Sequence, residues 1–442
     1  MAISPARKAA FEILLAVEKG HLHSDDLLRG RHAAQLSAAD SHLATALVFG
    51  VLRWQILLDQ HIRLFLDRPN ARLDSEIQIA LRLGAFQLLG MGRIPAHAAI
   101  DESVELAKQA GHRFAARMVN AVLRKLAGAA DASITLFNSS EHAYPAWMVE
   151  RWRRSFGSDA TQAICAHGQR EPAAALRLAD AQMEKELLSS GVVLEPGKLL
   201  SAARVIQSGD VTATEPFRTS RVRFQDEGSQ LVAEIAGRGG KILDCCAAPG
   251  GKTLILAEQN PDATILACDA SPQRLAHLRE RLAIFDERIE CRLADAAGLA
   301  DAGVYDLVLV DAPCSGTGTL GRNPEIRHRL KLEDLARQAK RQAAILRAAL
   351  RAACSGGHVI YSTCSLEPEE NEAVVDEVLS SESGVRIVSM QKRIDAMSSE
   401  GVLTAEGAKS LATCITPETH LRLLPGSFGT DGFFVAFLEK SE

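Results

Sequence analysis

The sequence predicts a multi-domain chain: an all-α N-terminal domain over residues 1–130, a small α/β connector over 140–228, and a C-terminal doubly wound, Rossmann-like α/β domain over 229–442. Three observations carry this. The first 127 residues repeat apolar side chains at helical spacing with almost no proline between Pro5 and Pro95. From Lys241 onward, short continuously apolar runs alternate with amphipathic helical segments, the pattern of buried parallel strands and their crossovers. The 442 residues also suffice for two to four ordinary domains.

In the N-terminal domain the apolar sets are Phe11, Leu14 and Leu15; Leu43, Leu47, Val48, Val51 and Leu52; Leu58, Ile62 and Leu66; and Val119, Val122, Leu123 and Leu126. A loop is expected over 128–145, then a short helix around 147–156. The connector reads as strands at 174–178 and 203–206, a helix at 183–189 and a turn at Pro196-Gly197. In the last domain, strands are expected at 241–246, 263–269, 288–293, 305–311, 358–362, 385–389 and 433–438, with crossover helices at 272–283 and 333–353.

Composition narrows the setting. Apolar residues at 47% and charged residues at 24% exclude a disordered or fibrous chain. No uninterrupted apolar run reaches membrane-spanning length and the N-terminus carries no signal-like stretch, so a cytoplasmic protein without a membrane role is expected. Nine cysteines without CxxC pairs predict reduced thiols and no metal site.

The net charge of -5 argues superficially against a nucleic-acid partner. Its distribution argues otherwise. Residues 1–140 carry 16 Lys+Arg against 13 Asp+Glu, residues 141–230 carry 11 against 12, and residues 231–442 carry 23 against 30. Within that acidic third, Arg322 to Arg351 holds nine cations and reads as phosphate contacts, its helical half having a solvated face as the alternative. Arg7, Lys8, Arg117, Arg124 and Lys125 are further RNA candidates among otherwise ordinary solvated helix faces.

Ligands of doubly wound sheets bind beyond the carboxyl ends of the strands. The first strand there runs into Cys246-Ala247-Ala248-Pro249-Gly250-Gly251-Lys252-Thr253, small residues that let a ligand approach a helix N-terminus closely. The phosphate-loop and G-x-G-x-x-G patterns both fail. Asp269 stands 18 residues after Gly251, where an acid bonds ribose hydroxyls. Asp295 follows the next strand and Asp311 ends the one after it, which fits an adenosine-type cofactor without phosphates. Two cysteines, Cys314 and Cys364, also fall at strand ends, whereas Cys245, Cys268 and Cys291 fit core filling. Paired thiols beside a methyl-donor site suit cytosine, whose carbon 5 becomes nucleophilic when a thiolate adds to carbon 6. Asp311 is placed to hold the cytosine amine and ring nitrogen, and Lys252 to lower a thiol pKa. The residues alone leave open which cysteine attacks.

These motifs, with Asp311-Ala312-Pro313-Cys314-Ser315-Gly316-Thr317-Gly318, Tyr361-Ser362-Thr363-Cys364-Ser365 and Glu367-Pro368-Glu369-Glu370-Asn371-Glu372, resemble the Nop/Sun family of RNA cytosine-5 methyltransferases. Ala6-Arg7-Lys8-Ala9-Ala10 and the helices after it are similar to the domain shared with the antitermination factor NusB, which marks the bacterial small-subunit ribosomal RNA type. The resemblance spans nearly the full length. It implies a class I methyltransferase domain with S-adenosylmethionine held by Cys246 to Lys252, Asp269, Asp295 and Asp311, and 16S ribosomal RNA as partner with no obligate protein partner. It also implies Cys364 as nucleophile, with Cys314 assisting release. A transfer RNA substrate, and an inactive RNA-binding or transcription factor, are the alternatives. Two stretches depart from the family pattern in regions expected to touch RNA: Arg322-Asn323-Pro324-Glu325-Ile326-Arg327-His328, and Arg177-Leu178-Ala179.

Overall fold

The computed structural model describes residues 3–441 apart from 21–22, 31–34, 130–139, 179, 220 and 286. The expected loop at 128–145 therefore lies largely outside the described residues, as does Ala179. The chain divides into two compact units, Met1–Glu171 with Leu320–Arg329, and Pro172–Thr319 with Leu330–Glu442.

The first unit is helical. Pro5–Lys19 begins with proline in its first turn, where the missing N–H costs nothing. With Ala38–Phe65, Ser75–Gly90, Ala96–Gln109 and Ala116–Gly128 it buries a core that includes Leu14, Val48, Leu58, Leu83 and Leu123. Gly50 permits the close approach of Ala38–Phe65 and Ser75–Gly90, since a Cβ there would lie 2.0 Å from the Phe86 ring. Ala38–Phe65 is, among the described residues, the one helix long and apolar enough to cross a membrane, yet half of its most apolar window is buried inside this unit. It also carries Arg53, Asp59 and His61, the character of a core helix. The helices Ala146–Phe156 and Ser158–Gly168 belong to this unit as well.

Segment 320–329 is built into the helical unit. Glu325, 1% exposed, accepts from Ser24 N (3.0 Å) and Ser24 Oγ (2.9 Å). Arg53 Nη2 donates to Gly321 O (2.9 Å), and His328 Nε2 lies 2.7 Å from Leu52 O. Burial pushes the His328 imidazole down to about 4. Arg327 is 1% exposed, donates to the carbonyls of Arg53, Gly168 and Leu320, and stands 4.0 Å over the Tyr144 ring. The phosphate reading of the basic stretch fails for Arg327, because its guanidinium is spent on backbone carbonyls. Arg7 is likewise buried, on Gln87 and Glu102, and offers nothing to RNA.

In the second unit the connector forms an antiparallel sheet from β1 (Ala175–Leu178), β2 (Val193–Pro196), β3 (Ala203–Ser208) and β4 (Val222–Phe224), ordered β2-β3-β1-β4. Arg177 in β1 is buried in ion pairs with Glu234 (2.7 Å) and Glu258 (2.9 Å), which Arg223 of β4 also reaches (2.6 Å). Arg177 therefore locks the small sheet to the following helices and is not free to meet RNA.

The main sheet contains β5 (Lys241–Asp244), β6 (Thr264–Asp269), β7 (Ile289–Leu293), β8 (Tyr305–Asp311), β9 (Ala353–Thr363), β10 (Val385–Ile387), β11 (Leu421–Leu423) and β12 (Phe433–Lys440). Its order is β10-β12-β9-β8-β5-β6-β7, with β11 also on β12. β7, β6, β5, β8 and β9 are parallel, whereas β12 enters antiparallel beside β9 and β10. The doubly wound α/β class holds, with a mixed edge. β9 starts at Ala353, well before the expected 358: Ala353 pairs with Tyr305, the ladder then bulges over 354–357, where Gly356 takes a φ of +74°, and pairing resumes at His358 beside Leu307.

Candidate active site

The order of strands reverses between β5 and β8, and the candidate residues collect at the carboxyl ends there. Asp244 ends β5, Asp269 ends β6, Asp295 follows β7, Asp311 ends β8, and Cys364 follows β9. The loops are pinned by Ala247 N to Cys268 O (2.8 Å), Ala312 N to Ser362 O (2.8 Å) and Gly318 N to Cys364 O (2.8 Å). Gly318 has no room for a side chain: a Cβ would stand 2.5 Å from Gly432 O and 2.8 Å from Cys364 O.

A crevice of about 370 Å³ opens at these ends. It brings together Cys246, Ala248, Asp269, Asp295, Asp311, Cys314 and Cys364. Ala247 faces the apolar core instead. Pro249, Gly250 and Gly251 shape the turn into the helix Gly251–Gln259, Gly250 with a φ of +98° that favours glycine. Lys252, on the first turn of that helix, reaches the crevice through Asp311.

That contact is an ion pair: Lys252 Nζ lies 2.7 Å from Asp311 Oδ2, while Ser362 Oγ donates to Asp311 Oδ1 (3.0 Å). Burial lowers the Lys252 ammonium pKa, but attraction to Asp311 outweighs it and leaves it raised. Cys364 adds to that attraction, and the Phe433 ring lies 5.6 Å from Nζ. Behind the pair, burial pushes Asp244 up to about 7 despite a hydrogen bond from Thr253 Oγ1 (2.7 Å).

The two thiols meet, with Cys314 Sγ 3.3 Å from Cys364 Sγ. The Cys314 thiol is pushed well above its ordinary range, first by the hydrogen bond with Cys364 and then by burial. Burial also raises the Cys246 thiol, which suits a packing role.

Sequence reasoning missed several neighbours. Arg341 and Ile345, on the helix Leu332–Ala352, line the crevice, and exposed Arg341 is the cation of the basic stretch that enters it. Glu370, fully buried, accepts from Ser315 and Ser365, the residues after the two cysteines. Four acids in the Glu367–Glu372 string gave no way to tell which of them would bridge the two loops.

The donor set suits a nucleoside sulfonium. Asp269 accepts from Ser271 N (2.8 Å) and keeps acceptor capacity for hydroxyls, as does Asp295, while Ala270, Ala294, Ala296, Pro313 and Ile345 supply apolar walls.

Comparison with known proteins agrees. The profile described as 16S rRNA methyltransferase RsmB/F matches residues 236–439, and the NusB family matches residues 4–128. The probable ribosomal RNA small subunit methyltransferase B of Bacillus subtilis is 31% identical over 98% of both chains. The ribosomal RNA small subunit methyltransferase B of Pseudomonas putida is also 31% identical over 98% of both. The crystal structure of PH0851 superimposes with a TM-score of 0.75 at 22% identity, covering 100% of both chains. A helical NusB-family region ahead of a methyltransferase sheet, matched end to end by such relatives, places the chain in the RsmB/F family of S-adenosylmethionine-dependent methyltransferases.

Proposed function

We propose that the protein transfers the methyl group of S-adenosylmethionine to carbon 5 of a cytosine in 16S ribosomal RNA, with Cys364 as nucleophile and Cys314 as the group that frees the product. The observation that carries this is the 3.3 Å pair of thiols, in one crevice with three strand-end carboxylates. The RNA class is supported by the names of the relatives above, and a cytoplasmic site of action follows from it.

Asp269 and Asp295 would hold the cofactor's polar edge between the alanines and Ile345. When bound, the cofactor supplies an electrophilic methyl group, which carbon 5 can take only once it is activated. The protein's part is that activation. The Cys364 thiolate forms a bond to carbon 6, and the electron pair of the carbon 5–carbon 6 double bond moves to carbon 5. Lys252 stands close enough to favour the thiolate electrostatically, and Asp311 accepts a hydrogen bond from the cytosine amine. Cys314 keeps its proton while Cys364 is free. Once Cys364 is a thioether, the hydrogen bond that raised Cys314 is gone, and Cys314 can release its proton to solvent. Its thiolate then takes the carbon 5 proton, the ring double bond re-forms, and the carbon 6–sulfur bond breaks to return the Cys364 thiolate.

The test uses undermodified 16S ribosomal RNA, tritium-labelled cofactor and bisulfite sequencing, with transfer RNA as a parallel substrate. Wild-type protein should label one cytosine of the ribosomal RNA at carbon 5, and Cys364→Ala should lose transfer while binding cofactor normally. Turnover by Cys364→Ala, or methyl on another atom, overturns the reading.

A further inference from the structure

The thiol pair must itself be held, because its cysteines sit on loops from different strands. One side chain spans both. Glu370 ends the short turn Pro368–Glu370 and is 0% exposed. Its Oε1 accepts from Ser315 N (2.8 Å) and Gln342 Nε2 (3.1 Å). Its Oε2 accepts from the hydroxyls of Ser315 and Ser365. Ser315 follows Cys314 and Ser365 follows Cys364. Gln342 further donates to Pro313 O (2.9 Å), the carbonyl just before Cys314, while Glu370's own carbonyl accepts from Tyr361 Oη (2.6 Å).

A buried carboxylate is costly unless its lone pairs are used. Here both oxygens accept two bonds each from uncharged donors, an arrangement that fills the capacity of a carboxylate. The two loops lie 50 residues apart in sequence at Ser315 and Ser365, and their hydroxyls come within 3.1 Å of each other on the same carboxylate oxygen. A shorter acid could not reach both loops, and an apolar residue would leave the donors unsatisfied.

We propose that Glu370 is a positioning residue that clamps the Cys314 and Cys364 loops together and so sets the register of the two thiols for attack and release. The inference rests on the roles given to the thiols above, yet the clamp can be read without any methyl transfer. Phenylarsine oxide bridges two adjacent thiols, forming two As–S bonds with loss of one water. In the full-length protein it should bridge Cys314 and Cys364, identified by mass spectrometry of the linked peptides.

Glu370→Gln should retain capture near the wild-type rate, because its amide N–H can donate to the two serine hydroxyls while its oxygen accepts from Ser315 N and Gln342. Glu370→Ala and Glu370→Asp should slow capture at least about 10-fold and lower kcat by about 10²-fold with KM for RNA and cofactor affinity unchanged, the scale expected of a roughly 1 Å misplacement. Folded Glu370→Ala or Glu370→Asp protein with wild-type capture and kcat overturns the clamp. Should neither fold, the Ser315→Ala/Ser365→Ala double variant decides by the same two readouts. If the wild-type protein made no 5-methylcytosine, the proposed reaction would fall while arsenical capture still judged Glu370.

Discussion

Cys314 Sγ lies 3.3 Å from Cys364 Sγ across the ends of the adjacent parallel strands β8 and β9. At that separation one thiol donates to the other sulfur, and that hydrogen bond, with burial, holds the Cys314 thiol well above its ordinary range. In the proposed reaction the pair divides the labour of attack and proton removal by order in time.

Removal of Cys314 should leave attack intact and block release. Cys314→Ser is expected to accumulate a protein–RNA adduct, visible as a slow band in denaturing gels, with turnover reduced by about 10²–10⁴-fold, the usual worth of a positioned acid–base group. Free product at the wild-type rate, with no adduct, would remove Cys314 from the mechanism.

Lys252 tests the electrostatics. Its ammonium is paired with Asp311 at 2.7 Å and interacts with Cys364. Lys252→Met should slow iodoacetamide alkylation of Cys364 severalfold at neutral pH, because the cation that favours the reactive thiolate is gone. An unchanged alkylation profile would assign Lys252 to holding Asp311 alone.

Much of this site is legible in the sequence, and the boundary has a physical basis. Strand-end position follows from the period of apolar runs, and that period alone locates Asp269, Asp295, Asp311 and Cys364. Side-chain destination does not follow. Glu370 stands among equivalent acids, and only the packing of its turn against Ser315 and Ser365 selects it. The stretch from Arg322 to Arg351 looks uniformly basic, yet residues 320–329 pack with helices hundreds of positions earlier. Periodicity reports that a face is covered and says nothing about what covers it.

Asp244 makes stability depend on pH in an unusual direction. Its carboxyl is raised in the folded protein to about 7 from an ordinary 3.8, chiefly by burial. The folded state thus binds the proton more tightly than the unfolded chain, so its contribution is full below about pH 4 and fades as pH rises through 7. The loss amounts to at most about 1.4 kcal/mol per pH unit across that window. Asp244→Asn keeps an acceptor for Thr253 without the titration. Its melting temperature should decline less than wild type between pH 4 and 8, and parallel curves would show that Asp244 does not titrate there.

Arg327 separates structural from RNA-binding cations. The guanidinium satisfies carbonyls of Arg53, Gly168 and Leu320 and stacks on Tyr144, all inside the helical unit. Arg327→Met keeps comparable length but strands those carbonyls, which should cost about 1–3 kcal/mol or more in unfolding free energy. A phosphate contact behaves differently: its loss lowers the slope of log affinity against log salt by about one and leaves stability alone. Exposed Lys340 and Arg341 on the helix Leu332–Ala352 are the better candidates for that behaviour. Thermal melts and salt titrations of RNA binding on Arg327→Met and Lys340→Ala should show opposite patterns. A reduced salt slope with an unchanged melting temperature for Arg327→Met would return Arg327 to the RNA interface.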